Sequence, residues 1–140
     1  MKFNIGIIGL GYVGLPLAVE MAKKFKVVGF DINQNRIDEL NKGQDNTNEL
    51  SKSQLNQSLK QGIIYTSDSE QLNESNFFIV TVPTPINKDK TPNLNPVISA
   101  SKTVSQFLNK GTIVVYESTV YPGVTEEVCV PILEEFSGLK

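Results

Sequence analysis

The sequence predicts an α/β fold: a mainly parallel sheet, doubly wound, with helices on both faces. Three observations carry that expectation. Short apolar runs recur at 4–8, 26–30, 62–66, 76–82 and 112–116, each of strand length. Between several of them, apolar residues return at three- and four-residue steps, the period of a helix with one buried face. The first run also passes directly into a glycine-rich turn and then a helix. Strands alternating with helices favour parallel pairing and right-handed crossovers.

Taken in order, Asn4 to Ile8 reads as a buried strand, and Leu17, Ala18, Met21, Ala22 and Phe25 mark the first helix. Lys26 to Phe30 is a second strand, ending at Asp31. Asn33 can cap a short helix bearing Ile37 and Leu40, which Gly43 closes. The stretch 44–61 is rich in Asn, Gln, Ser and Lys, with Leu50, Leu55 and Leu59 as its large apolar anchors; it predicts a loop and a weakly amphipathic, mostly solvated helix. Residues 62–66 form a third strand, 68–72 a brief helix and 76–82 a buried fourth strand, which runs into Pro83-Thr84-Pro85. After a polar linker, Asn95 is placed to cap a helix with Pro96 at its first position. Val97, Ala100, Val104, Phe107 and Leu108 form its apolar face, and Gly111 ends it. Residues 112–116 are the fifth strand. A last helix opens at Thr125-Glu126-Glu127, with a kink or early break expected at Pro131.

The turn between the first strand and first helix is Gly9-Leu10-Gly11-Tyr12-Val13-Gly14, a GxGxxG sequence, and Asp31 follows 17 residues after Gly14. Strand, turn, helix, second strand and acid together form a dinucleotide-binding fingerprint of the Rossmann type. Gly9 allows the tight turn, Gly11 the close approach of a pyrophosphate, and Gly14 the packing of the helix on the sheet. The pyrophosphate would face the free N–H groups and positive dipole end of the helix, so no cationic side chain is required. Pro16 falls in the first turn, where N–H groups lack intrahelical partners anyway. Asp31 would accept hydrogen bonds from the adenine ribose and repel a 2′-phosphate, which predicts NAD over NADP.

At 140 residues the chain has the size of one domain. Thirteen basic against fifteen acidic residues leave a net charge of −2 with no basic block, which argues against nucleic acid as a partner. No apolar run is long enough to cross a membrane, and the apolar N-terminus is the first strand, not a signal peptide; a cytoplasmic protein is expected. One cysteine and no histidine supply too few ligands for a zinc site, so no metal is expected. Cys129 lies between two valines in a helical stretch with no histidine to act as its base, and reads as a small core residue.

In open α/β sheets, ligands bind at the carboxyl ends of strands near the reversal of strand order. Three strand ends here are distinctive: Asp31, Val82-Pro83-Thr84-Pro85, and Glu117-Ser118-Thr119. The prolines deny the fourth strand a helical exit and leave its backbone groups available. The hydroxyls of Thr84, Ser118 and Thr119 suit binding of ribose or phosphate, or the orienting of a water. Equally, such hydroxyls often satisfy only local backbone groups.

These segments resemble the UDP-glucose/GDP-mannose dehydrogenase family, the nucleotide-sugar 6-dehydrogenases. The resemblance rests on residues 9–18, on Gly29-Phe30-Asp31 with Arg36-Ile37, on Val82-Pro83-Thr84-Pro85, and on the run from Glu117 to Gly123. It covers essentially the whole chain. Residues 114–139 look most like the branch acting on UDP-N-acetylhexosamines, which supplies uronic acids for bacterial polysaccharides. The resemblance implies oxidation of the sugar C6 alcohol to a carboxylate with two NAD in succession. It also implies that Asp31 and Arg36 hold the adenosine half, and that Gly11, Tyr12 and Val13 present backbone groups to the pyrophosphate. Thr84 and Ser118 would line the cofactor cleft, and Thr119 would help position the water of thioester hydrolysis.

The family's nucleophilic cysteine lies in a glycine-rich segment well downstream, with the lysine, asparagine and aspartate of its site. None of those motifs occurs here, and Cys129 is not in the matching context. The expectation is therefore an NAD-binding domain, residues 1–140, of a longer enzyme, without the substrate-binding and catalytic-cysteine domains and inactive alone. The intact enzyme would take a UDP-sugar and form a homo-oligomer through elements beyond residue 140. Two other readings compete: a stand-alone NAD-binding module without chemistry, and the first domain of another hydride-transfer dehydrogenase, such as a 3-hydroxyacyl-CoA or 6-phosphogluconate type.

Overall fold

A computed structural model describes residues 3–45, 50–83, 85, 87–91, 93–117 and 129–137, the side chains of 135–137 excepted. Five strands build one sheet: β1 Asn4–Ile8, β2 Lys26–Phe30, β3 Ile64–Thr66, β4 Phe77–Val80 and β5 Ile113–Tyr116. All pairings are parallel, and the order is β3-β2-β1-β4-β5. The order reverses between β1 and β4, which makes their carboxyl ends the switch point of a Rossmann-like sheet. β1 is registered with Ile8 opposite both Phe30 and Val80, so three strands end level at that point.

The helices are α1 Gly14–Met21, α2 Gln34–Asn41, α3 Lys52–Lys60, α4 Asn95–Ser105 and α5 Val130–Ser137, with a short 3-10 turn at Ser69–Leu72. On one face, Ile5, Ile7, Val27 and Ile79 pack with Leu15 and Ala18 of α1, Ile37 and Leu40 of α2 and Leu55 of α3. On the other, Ile8, Val28, Phe78 and Val80 meet Ala100 and Val104 of α4, with Leu133 of α5 packed against them. The sheet is thus covered on both faces, as its near-continuous apolar strands require. Each fully buried aliphatic side chain contributes roughly 1.5–3 kcal/mol.

Several boundaries differ from the sequence expectation, for local reasons. α1 ends at Met21, and Phe25 lies beyond it, 38% exposed. β3 starts at Ile64 because Gly62 turns the chain with φ +97°. β4 stops at Val80; Thr81 keeps one backbone bond to Ile8 O and turns its hydroxyl to the glycine turn. Asn95 is not the cap of α4: it is the first helical residue, Pro96 is the second, and Leu94 is the capping residue. The side chain that serves this start is Asn93, whose Oδ1 accepts from the Asn95 N–H at 3.0 Å. Pro131 stands second in α5, and Cys129 just before it is in π-helical backbone, so the residues on which the expected kink or early break depends lie outside the described ones. The expected opening at residues 125–127 lies outside the described residues.

Candidate functional site: the cleft at the switch point

β1 leaves the sheet through Gly9, whose φ of +103° no L-residue adopts cheaply and whose N–H donates to Phe30 O at 2.8 Å. The turn folds back so closely that a Cβ on Gly14 would collide with the Gly9 carbonyl and with Thr81 Oγ1. Gly14 therefore closes the turn on itself and on the β4 exit, a tighter role than helix-to-sheet packing. Gly11 is the opposite case: a Cβ there would meet nothing within 4 Å. The turn is rigid at its ends and open in its middle, as close approach by a ligand requires. Tyr12 and Val13 stand exposed on its crest, at 68% and 56%.

α1 begins at this turn with no side-chain cap and no acid in its first turn. Its positive end is accordingly not cancelled from within the helix, and an anion placed there would be favoured.

Beside the turn, β2 delivers Asp31. Its Oδ2 accepts from the Leu10 N–H at 2.9 Å and its Oδ1 from the Asn33 N–H at 2.9 Å. A carboxylate has about four acceptor sites, so both oxygens retain capacity for ribose hydroxyls. Asn33 caps α2 as expected, accepting from Asn35 N and Arg36 N. That cap brings Arg36 against the underside of the turn, where its Nε donates to Leu10 O at 2.8 Å.

These groups face a cleft of about 370 Å³. One wall is the turn and the exit of β2, including Gly9, Gly11, Asp31 and Arg36; the other is Val82 and Pro83 after β4 with Ser99, Ala100 and Thr103 of α4. Ile32, 77% exposed, offers an apolar surface beside Asp31 suited to a flat base. The residues fit a dinucleotide: an open glycine backbone and uncapped helix for phosphates, and a carboxylate with spare acceptors for ribose. Of the anticipated site residues, Gly9, Gly11, Asp31 and Arg36 line this cleft, while Tyr12, Val13 and Gly14 belong to the same turn without lining it. Thr84, Ser118 and Thr119 lie outside the described residues.

Thr81 escaped the sequence reading. It is 8% exposed, its N–H donates to Ile8 O, and its Oγ1 donates to Gly9 O at 2.7 Å. The signal was a lone hydroxyl ending the run Phe77-Phe78-Ile79-Val80.

Cys129 does not line this cleft but lies behind its wall, in one cluster with Val97 and Val82. It is 1% exposed, packed with Val97 and in hydrogen-bond contact with Ser101 and Tyr116, whose own hydroxyls lie 2.7 Å apart. Burial pushes the thiol pKa up, which disfavours the thiolate a nucleophile needs. Cys129→Ala is expected to leave NAD affinity within about twofold while lowering stability by about 1 kcal/mol, as read by calorimetric titration and urea unfolding. Among the described residues, no group of acids or cysteine could hold a metal ion, and no helix is long and apolar enough to cross a membrane.

The NAD-binding domain model of the UDP-glucose/GDP-mannose dehydrogenase family matches residues 3–140. The chain is 57% identical over 138 residues to a UDP-N-acetyl-D-glucosamine 6-dehydrogenase of Salmonella typhi, covering 99% of this chain and 32% of that protein. It is 53% identical over 139 residues to Protein CapL of Staphylococcus aureus, again covering 99% and 32%. Among solved structures, a UDP-D-ManNAc dehydrogenase from Pyrococcus horikoshii matches with a TM-score of 0.91 at 36% identity, over 99% of this chain and 33% of that one. The chain thus spans about a third of the length of the curated relatives it matches. It belongs to the UDP-glucose/GDP-mannose dehydrogenase family, whose NAD-binding domain it supplies.

Proposed function

We propose that the chain serves as the NAD-binding domain of a UDP-sugar 6-dehydrogenase that oxidises the C6 alcohol of a UDP-hexose or UDP-N-acetylhexosamine to the uronic acid. The observation that carries the cofactor half is the turn itself: Asp31 bound to Leu10 N–H beside an open Gly11. The substrate half is supported by the 57% identity to a UDP-N-acetyl-D-glucosamine 6-dehydrogenase.

NAD bound in the cleft would supply the hydride acceptor for each of two oxidation steps. The chain's own residues bind and orient it. Gly11, Tyr12 and Val13 offer backbone N–H groups to the pyrophosphate, Asp31 takes the adenine ribose, and Val82, Pro83 and Ala100 keep water from the opposite wall. By the family resemblance, Thr84 and Ser118 would contact the cofactor, and Thr119 would help position the water of the hydrolytic step. The nucleophile and most sugar-binding groups belong to further domains of the intact enzyme, which is cytoplasmic, assembles as a homo-oligomer and feeds polysaccharide synthesis.

The test uses the full-length protein with UDP-N-acetylglucosamine, UDP-N-acetylgalactosamine and UDP-glucose in turn. The expected result is NADH formation with at least one of them, two NADH per uronate, and none from the 140-residue chain alone. No NADH with any UDP-sugar, from a protein that binds NAD, would leave an NAD-binding module without this chemistry.

A further inference from the structure

Beneath the glycine turn lies a charged pair that cofactor contact alone does not explain. Arg36 is 9% exposed, and its guanidinium is engaged by the protein: Nε donates to Leu10 O, Nη1 donates to Asp45 Oδ1 at 2.9 Å, and Glu39 Oε2 lies 3.6 Å from Nη1. The Asp45 side chain is fully buried, and its Oδ2 accepts from Leu50 N–H at 3.0 Å. A buried carboxylate therefore anchors the arginine, and the arginine anchors a turn carbonyl.

Leu10 is held twice, its N–H by Asp31 and its carbonyl by Arg36. The chain has no cis peptide bond among the described residues, and in a trans peptide the carbonyl of Leu10 and the N–H of Gly11 point in opposite directions. Drawing the carbonyl down to Arg36 thus turns the Gly11 N–H away from the arginine, at the residue around which space is open.

We propose that Arg36 and Asp45 form a positioning pair for the phosphate turn: Asp45 fixes Arg36, Arg36 fixes the Leu10–Gly11 peptide, and that peptide presents its N–H to a pyrophosphate. The ligand named here rests on the NAD reading; the hold on the turn does not. Because Asp45 and Glu39 face its charge, Arg36 is also a weak attractor for a 2′-phosphate, and the pair reinforces the preference set by Asp31. The competing role is direct contact with the adenosine half through Nη2, which has no hydrogen-bond partner among the described residues.

The two roles separate in Asp45→Asn and Arg36→Lys variants of the chain. An ammonium reaches either Leu10 O or Asp45 but cannot span both as the guanidinium fork does. Nitrogen-resolved NMR of the ligand-free protein reads the Gly11 amide, with Gly62 and Gly111 as distant references. Calorimetry reads NAD and adenosine. The pair predicts a displaced Gly11 signal in both variants with Gly62 and Gly111 unmoved, about tenfold weaker NAD binding, and adenosine binding within about twofold. A Gly11 signal unmoved in both variants would overturn the proposal, and so would equal losses for NAD and adenosine, which mark direct contact. Collapse of the whole spectrum in both would also overturn it, leaving the pair as an element of the fold only. Failure of the unaltered chain to bind NAD would instead remove the cofactor reading, and the Gly11 signal would still decide the pair's hold on the turn.

Discussion

Gly14→Ala is expected to abolish measurable NAD binding and to destabilise the chain by about 1–3 kcal/mol, the usual cost of forcing an extra carbon into a packed site. The added Cβ would meet the Gly9 carbonyl and Thr81 Oγ1 at distances no real Cβ tolerates, and the first of these is backbone. Rotation of a side chain cannot relieve it. Either α1 shifts outward or the Gly9 peptide rotates, and Gly9 is already committed by its φ of +103° and its bond to Phe30 O. Both relaxations move the Gly11 N–H and the start of α1, the groups assigned to the pyrophosphate. The comparison is Gly11→Ala, which adds its carbon to open space: stability should stay nearly unchanged while NAD binding weakens because the methyl occupies ligand space. Urea unfolding and calorimetry on the two variants separate fold from site. Equal stability loss in both would show that the contrast between a closed and an open glycine is wrong.

That contrast also marks what was legible in the sequence. Glycine spacing, the strand before it, the acid at the end of β2 and the Asn33 cap are local signals, each decided by residues a few positions apart, and all appear where expected. The alternation of strands and helices is local too, and with the crossover rule it yields a parallel sheet covered on both faces.

Most of what failed to show is non-local. Thr81 finds Gly9 across 72 positions, and no pattern in either segment announces that bond. Arg36 looks in sequence like a free cation near a cofactor; only the fold reveals that Asp45 has been buried against it. In the polar stretch the expected, mostly solvated helix forms as α3 with Leu55 as its buried anchor, and Ser51 and Gln54 cap one another at its start. That serine-to-glutamine spacing is a capping box, a local signal of where the helix starts. Asn95 reads as the cap of α4 but is its first helical residue, and it is the Asn93 side chain that accepts the Asn95 N–H.

Asp31→Asn is expected to weaken NAD binding about tenfold or more and to cut the preference for NAD over NADP by about tenfold to a hundredfold. The carboxylate does two separable things. Toward the protein, its oxygens accept from Leu10 N–H and Asn33 N–H at 2.9 Å each, which ties the turn to β2. Toward the ligand, its remaining lone pairs suit the ribose hydroxyls, and its charge opposes a 2′-phosphate. Asparagine keeps one acceptor oxygen, so one backbone bond survives while the other meets an N–H₂ group that cannot accept. Hydrogen bonds to charged groups contribute about 1.5–3 kcal/mol, and losing one accounts for the weaker NAD binding. The loss of charge acts on NADP alone, since like-charge juxtaposition in a cleft costs several kcal/mol. Side-by-side titrations with both cofactors therefore give two independent numbers. NAD affinity falling with the NAD-to-NADP ratio unchanged would confine Asp31 to holding the turn. A ratio that falls while the Leu10 amide stays protected from hydrogen exchange would place discrimination in the carboxylate charge itself, with Arg36 unable to compensate because Asp45 and Glu39 already face it.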